Sequence, residues 1–301
     1  MGGDRRWNPH RNTKIGVLAT NCAKVLVGSE LIFLKLGGSL LTDKTRPQVL
    51  RPAVLARLAA EIAAALADRP GLRLLIGHGS GSFGHITASK HGTRGGVRSR
   101  EEWRGYAETG RAAAQLNRLV VDALGDAGAP ALGVQPSASA ACHAGELRDL
   151  DVRPLRAALA NGLAPVVYGD VALDDVRGGT IISTEEIFRW LAPRLAPQRV
   201  ILAGETTGVL TADPASAATG ELIAEITPAT LPAVLHVLGG SRGVDVTGGM
   251  AAKVTQMVAL VQTTPSLAAV QIVSGLQEGL VREVLCDPAV RAGTRISGQR
   301  P

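Results

Sequence analysis

The residues in this sequence best suited to chemistry sit around three glycine-rich turns. The first is Ile76-Gly-His-Gly-Ser-Gly-Ser-Phe-Gly-His85, with Gly77, Gly79, Gly81 and Gly84 in eight positions. Glycines so placed let the backbone bend sharply and approach a ligand closely. Successive free N–H groups in such a turn form a concavity that accepts a phosphate. The second turn is Lys35-Leu-Gly-Gly-Ser39, and the third is Asp245-Val-Thr-Gly248-Gly249, four residues before Lys253. Between residues 31 and 301 there are 23 arginines and only four lysines: Lys35, Lys44, Lys90 and Lys253. Three of the four accompany a glycine turn. An ammonium is a compact point charge that approaches one phosphate oxygen without requiring a planar bidentate partner. A transferring phosphoryl group, whose charge spreads over several oxygens, calls for that kind of cation. The chemistry indicated is phosphoryl transfer.

Other phosphate and hydrolase chemistries lack their residues. No Gly-x-x-x-x-Gly-Lys-Ser/Thr occurs, and no protein-kinase His-Arg-Asp with Asp-Phe-Gly. No Ser/His/Asp hydrolase elbow is present. Gly79-Ser-Gly81-Ser-Phe-Gly84 fits the dinucleotide pattern by spacing alone, and the helix it should open is not expected to begin at once. Three cysteines, Cys22, Cys142 and Cys286, are widely separated and have no metal-ligand spacing. They read as free thiols in a reducing compartment, and no metal ligand is assigned among the side chains.

The elements that must position these residues alternate. Leu31–Leu36 and Leu72–Ile76 read as buried strands, each followed by a glycine turn. Helices are expected at 53–67, 101–124 and 152–163, the first opened by Pro52. Strands follow at 131–134 and 164–168, the latter ending at Gly169-Asp170. Residues 171–182 read as a β-hairpin. Thr184 is expected to cap a helix to Leu195, with Glu185 and Glu186 in its first turn. Strands at 199–202 and 268–273 and helices at 250–262 and 278–285 complete the pattern. This alternation predicts an α/β fold with a mainly parallel sheet and helices on both faces.

A chain of 301 residues has ample length for one large α/β domain or two lobes. Hydrophobic residues make up 46% and aromatics only 3%, so Ala, Leu and Val must build the core. Half of the formal charge of +6 belongs to residues 1–30, and no basic stripe with interleaved aromatics occurs. Nucleic acid is therefore not the expected partner. No apolar run reaches the length of a membrane span, and Ile15–Thr20 is interrupted too early to serve as a signal peptide. Residues 1–30 read as an extension outside the fold.

Lys35-Leu-Gly-Gly-Ser39, His78-Gly-Ser-Gly-Ser-Phe-Gly-His85, Gly169-Asp170 and Asp245-Val-Thr-Gly-Gly-Met250 resemble, in that order, the amino acid kinase superfamily. His85, with Thr42-Asp-Lys44 and Gln135-Pro-Ser137, narrows the resemblance to its isopentenyl phosphate kinase branch. The resemblance runs from about Leu31 to near the C-terminus. It implies a three-layer αβα sandwich, with the acceptor over a lobe of about 31–182 and ATP over a lobe of about 183–301. It also implies Mg2+ with ATP as donor, isopentenyl monophosphate as acceptor and a cytoplasmic homodimer. Carried over residue by residue, Lys35 and Lys44 stand at the transferring phosphoryl, and Asp170 orients both, a structural Asp after the strand being the competing reading. Gly37, Gly38, Ser39, Ser80, Glu205, Asp213, Gly248 and Lys253 fall on the ATP side. Gly79, Gly81, Gly84, His85 and Gly169 fall on the acceptor side, with His85 bonding the acceptor phosphate. Apart from the resemblance, Tyr106 is an aromatic on the small-residue helix at 101–124 and reads either as closing an apolar acceptor slot or as a helix tyrosine packed on the body of the protein. His78 reads as structural. The chain departs from the family pattern at Ser80, at Glu185-Glu186 and at Gly204-Glu-Thr-Thr-Gly208. A kinase for another small phosphate or phosphonate, fosfomycin-kinase-like, and a nucleotide sensor without turnover are the alternatives.

Overall fold

The structure is a computed structural model that describes residues 29–212, 220–239 and 249–298. In chain order it opens with β1 (Glu30–Leu36), the short helix α1 (Gly38–Leu41), α2 (Pro52–Asp68), β2 (Leu72–His78), α3 (Gly81–His91) and α4 (Arg100–Asp126). Then come β3 (Ala131–Gly133), β4 (Ala141–His143), β5 (Glu146–Asp149), α5 (Arg153–Ala160), β6 (Ala164–Tyr168), β7 (Asp170–Asp174) and β8 (Gly178–Ile182). The rest is α6 (Thr184–Leu195), β9 (Arg199–Gly204), β10 (Glu225–Ile226), α7 (Leu231–Gly239), α8 (Gly249–Thr263), β11 (Ala269–Ser274), α9 (Leu280–Cys286) and β12 (Thr294–Ile296).

Eight strands form one sheet in the order β10-β12-β11-β9-β1-β2-β6-β3, parallel throughout except where β12 runs against β11. β1 lies at its middle, with Lys35 opposite Gly77 of β2 on one side and Leu202 of β9 on the other. The apolar run Leu31–Leu36 follows from that position, since a central parallel strand is buried on both faces. Its alternate residues serve two cores. Leu31 and Phe33 pack with α5, α6 and α8 through residues such as Leu155, Phe188 and Met257. Ile32, Leu34 and Leu36 pack with α2, α4 and α9 through Leu58, Leu116 and Val281. Helices on each face make the three layers that the alternation predicts.

Several details correct the sequence reading. Glu30, grouped with the extension, opens β1, and the rest of that extension (1–28) lies outside the described residues, as does Cys22. α3 starts at Gly81 within the glycine motif, so the helix does follow its turn at once. The cap of α6 is Ser183: its hydroxyl accepts from Glu186 N–H, and the Glu186 carboxylate accepts from Ser183 N–H. The hairpin at 171–182 is present as β7–β8 and belongs to a four-stranded sheet, β5-β4-β7-β8.

Candidate functional site

Because β1, β2, β6, β9 and β11 are parallel, their carboxyl ends line one edge of the sheet, where ligands bind in open α/β folds. Each loop leaving that edge is tied to its neighbour. Gly37 N–H donates to Ala203 O at 2.8 Å, Gly79 N–H to Leu36 O at 3.1 Å, Gly169 N–H to His78 O at 3.1 Å and Gly275 N–H to Gly204 O at 2.7 Å.

The first two glycine turns interlock. A Cβ on Gly38 would lie 2.6 Å from Gly81 N, and one on Gly79 would lie 2.8 Å from Gly38 N. Gly81 adopts φ +52°, and a Cβ there would collide with Thr42. Only glycine allows the two backbones this approach, which brings the N–H groups at the starts of α1 and α3 side by side. Gly84 serves differently: its missing Cβ makes room for the Ser80 side chain. Ser80 itself has φ −69° and ψ −7°, an ordinary right-handed conformation, so its Cβ costs the turn nothing.

Lys35, the last residue but one of β1, forms an ion pair with Glu185 on the first turn of α6. Burial works to raise the Glu185 carboxyl pKa, and the ammonium charges of Lys35 and Lys253 outweigh it and hold the value below the ordinary one. Glu185 thus gathers two of the four lysines. This corrects the expectation that Asp170 orients Lys35. Asp170 is fully buried, and its carboxylate accepts from Ser137 N–H at 3.1 Å and from Val171 N–H at 2.8 Å. Its pKa is raised by desolvation, against the hydrogen bonds from Ser137, Val171 and Tyr168. Asp170 anchors the Gln135-Pro136-Ser137 turn to the end of β6.

His78 is fully buried between Asn117 Oδ1 at 3.1 Å and Gly79 O at 3.0 Å, and stacks on Tyr168. Desolvation lowers its pKa, so it is neutral and fastens the end of β2 to α4. Lys44 stands exposed on the turn between the bridged residues Thr42 and Leu50. The base of that turn is joined to α3, where Ser82 N–H donates to Thr42 Oγ1 at 2.8 Å. His85 is exposed one turn into α3, and Ser39 is half-buried in α1. Glu205, exposed after β9, pairs with Arg51 at 2.8 Å, which joins the Lys44 turn to the β9 loop. Asp213 and Gly248 lie outside the described residues.

Tyr106 is half-buried on α4, edge-on to Trp103. Strand register puts Val171, Leu173, Gly179 and Ile181 on one face of β7–β8. That face meets α4: a Cβ on Gly110 would lie 3.0 Å from Val171 Cγ2 and 3.9 Å from Asp170 Oδ1. Burial, with the charges of Asp170 and Cys142, pushes the Tyr106 hydroxyl up to about 12. Gly110 therefore lies against Val171, close to Asp170, and Tyr106 lies against Gly179 on the same face of the hairpin.

Sequence reasoning missed this part for Glu185, which it noted as a first-turn acid of the helix and as a departure from the family pattern. The available signal was two acids opening a helix, and the dipole explains both equally well. Separating the capping Glu186 from Glu185 needs the capping register: with Ser183 as N-cap, only Glu186 stands at N3.

The amino acid kinase family profile matches residues 30–270. The chain is 35% identical to the isopentenyl phosphate kinase of Methanothermobacter thermautotrophicus over 277 residues, 89% of this chain and all of that one. It is 40% identical to the isopentenyl phosphate kinase of Haloferax volcanii over 230 residues, 76% of this chain and 88% of the relative. A crystal structure of an isopentenyl phosphate kinase superposes with a TM-score of 0.75 at 33% identity, covering 89% of this chain and all of the other.

Proposed function

The chain belongs to the amino acid kinase family and, within it, to the isopentenyl phosphate kinases, and on that premise we propose that it transfers the γ-phosphoryl group of ATP to isopentenyl phosphate. The observation that carries this reading is the interlock of Gly38 with Gly79 and Gly81 beside Lys35. It supports two phosphate cradles meeting edge to edge, one for the donor and one for the acceptor. The acceptor is already a phosphate, so its attacking oxygen needs no general base. Alignment and charge neutralisation suffice.

In this reading the amides of Gly38, Ser39 and Ser80 hold donor phosphates and that of Gly81 holds the acceptor, while Gly37 and Gly79, whose N–H groups are engaged by Ala203 O and Leu36 O, shape the two turns. Lys35 is presented by β1 and held in place by Glu185 until the phosphates compete for its ammonium. Lys253 approaches the same carboxylate from the nucleotide side, with Gly248 and Asp213 completing that half. Lys44 and His85, both exposed and tied through Thr42 and Ser82, close over the transferring group and the acceptor phosphate. Glu205 acts from the lip through Arg51. Gly84 and Gly169 let the backbone follow these turns, and Tyr106 bounds the apolar slot against Val171 and Ile181. Residues of about 31–182 serve the acceptor, and those of about 183–301 the nucleotide.

Among the described residues no group of three or more His, Cys, Asp or Glu gathers to hold a metal. Mg2+ would come with ATP and would supply charge neutralisation at its phosphates. No helix among the described residues is long and apolar enough to cross a membrane. The working form is a cytoplasmic homodimer; β3 ends the sheet and carries Leu132, 42% exposed.

A coupled ADP-release assay with isopentenyl, dimethylallyl, geranyl and farnesyl monophosphates, and with fosfomycin, tests the reading. The expected result is greatest kcat/KM on isopentenyl phosphate. Turnover of fosfomycin alone would move the chain to the phosphonate kinases, and ATP binding without turnover would make it a sensor.

A further inference from the structure

The face of β7–β8 turned to α4 is not uniformly filled. Where α4 passes the strand at Gly110, the strand presents Val171 and the helix presents nothing. One helical turn earlier the arrangement reverses: α4 presents Tyr106 and the strand presents Gly179. A Cβ on Gly179 would lie 2.9 Å from both Cδ2 and Cε2 of the Tyr106 ring and 3.1 Å from Val97 Cγ2. Gly179 is buried, with an ordinary negative φ, so the backbone does not require glycine there; the ring does. Val97 is 1% exposed and held by its N–H to Arg177 O at 2.8 Å, and Trp103 meets the ring edge-on at 5.3 Å. The ring thus has Gly179 on its strand side and Trp103 along one edge, with Val97 packed beside the same glycine and Gly110 one helical turn further along α4.

We propose that Gly179 is a specificity-determining spacer: by withholding a side chain it lets Tyr106 lie back against the hairpin, and this sets how long an apolar chain the acceptor slot takes. The inference rests on the slot reading of Tyr106 given above. A side chain at 179 pushes the ring toward Gly110 and shortens the slot. A smaller residue at 97 lets the ring retreat and lengthens it. Apolar slots discriminate by volume, roughly tenfold or more per methylene-sized misfit.

The test is a double-mutant cycle with Gly179→Ala, Tyr106→Ala and the double variant. The readout is the ratio of kcat/KM for geranyl over isopentenyl monophosphate, with the far-ultraviolet circular dichroism of each variant as a check on folding. Gly179→Ala is expected to lower the ratio roughly tenfold in the presence of Tyr106 and to leave it unchanged in the Tyr106→Ala background. An unchanged ratio in the Tyr106 background, or an equal fall in both, overturns the spacer. A Tyr106→Ala enzyme with the parental ranking of chain lengths would instead overturn the slot reading itself. Val97→Ala moves the ratio the opposite way, so the proposal remains testable if Gly179→Ala does not fold; a fall or no change in that variant counts against it.

Discussion

The two edges of the main sheet handle buried charge in opposite ways. At the carboxyl edge Lys35 meets Glu185, with side chains 12% and 13% exposed. At the amino edge Arg199 meets Glu30, with side chains 8% and 16% exposed. Burial is nearly the same, so the cation is the variable. Arg199 bonds Glu30 at 2.6 and 3.0 Å and also the carbonyls of Val284 and Leu285, at 2.6 and 3.1 Å. Arg69 adds a bond to the same carboxylate at 3.0 Å and another to Leu285 O. That fork closes β1, β9, α2 and α9 into one permanent joint. Lys35 has no planar fork, and an incoming phosphate can take over its ammonium. The chain uses arginine where a contact must last and lysine where it must be exchanged.

Exchanging the cations puts this contrast at risk. Lys35→Arg keeps the charge and is expected to lower kcat roughly a thousandfold, about 4 kcal/mol of transition-state stabilisation, with little change in thermal midpoint. A Lys35→Arg enzyme with near-parental kcat would erase the distinction at the carboxyl edge. Arg199→Lys is expected to do the reverse. Loss of the fork leaves buried carbonyls and part of Glu30 unmet, at a cost of about 2–4 kcal/mol in urea unfolding, while kcat at low temperature is retained.

His85→Ala sharpens the carboxyl side. The charge-assisted bond proposed for it is worth roughly 1.5–3 kcal/mol, to be read as a fall in kcat/KM for isopentenyl phosphate with ATP binding retained. Equal losses on both substrates would place His85 outside the acceptor cradle. The smallest effect expected is one of pH. Burial acts to raise the Glu30 carboxyl, and Arg199 and Arg69 override it, leaving the pKa below its ordinary 4.5. A depressed carboxylate contributes stability that is complete above the ordinary value and is lost as pH falls through the depressed one. The difference in urea midpoint between the parent and Glu30→Gln should therefore be constant near neutrality and shrink in acid; a difference that grows in acid would refute the assignment.

Much of the fold was legible because it depends on local signals. The run Leu31–Leu36 announces a strand buried on both faces, and Pro52 announces the start of α2. The glycine turns were legible for the same reason, since few other uses explain four glycines in eight positions. The sequence reading failed where partners are distant or register decides. Glu185 and Lys35 are 150 residues apart, and nothing near either one names the other. Asp170 follows a strand next to a glycine, a context that suits a lysine-orienting acid as well as an anchor for Ser137. What separates the two is the Ser137 N–H that its carboxylate accepts at 3.1 Å, a partner 33 residues away. β4 and β5 are three- and four-residue strands, too short for a periodic signal.

The glycine interlock has a consequence for how this edge can vary over generations. A bulky residue in a core is often accommodated when its neighbour becomes smaller. Here Gly38 and Gly79 face neighbouring backbone with no side chain left to give up, and Gly81, even with Thr42 made smaller, is held to glycine by its φ of +52° and by Gly38 O at 2.9 Å. No second substitution rescues the first, so every path of change through these three positions is closed at its opening step. Diversity in this cradle has to enter through Ser80, whose ordinary backbone angles tolerate other residues within the room that Gly84 leaves.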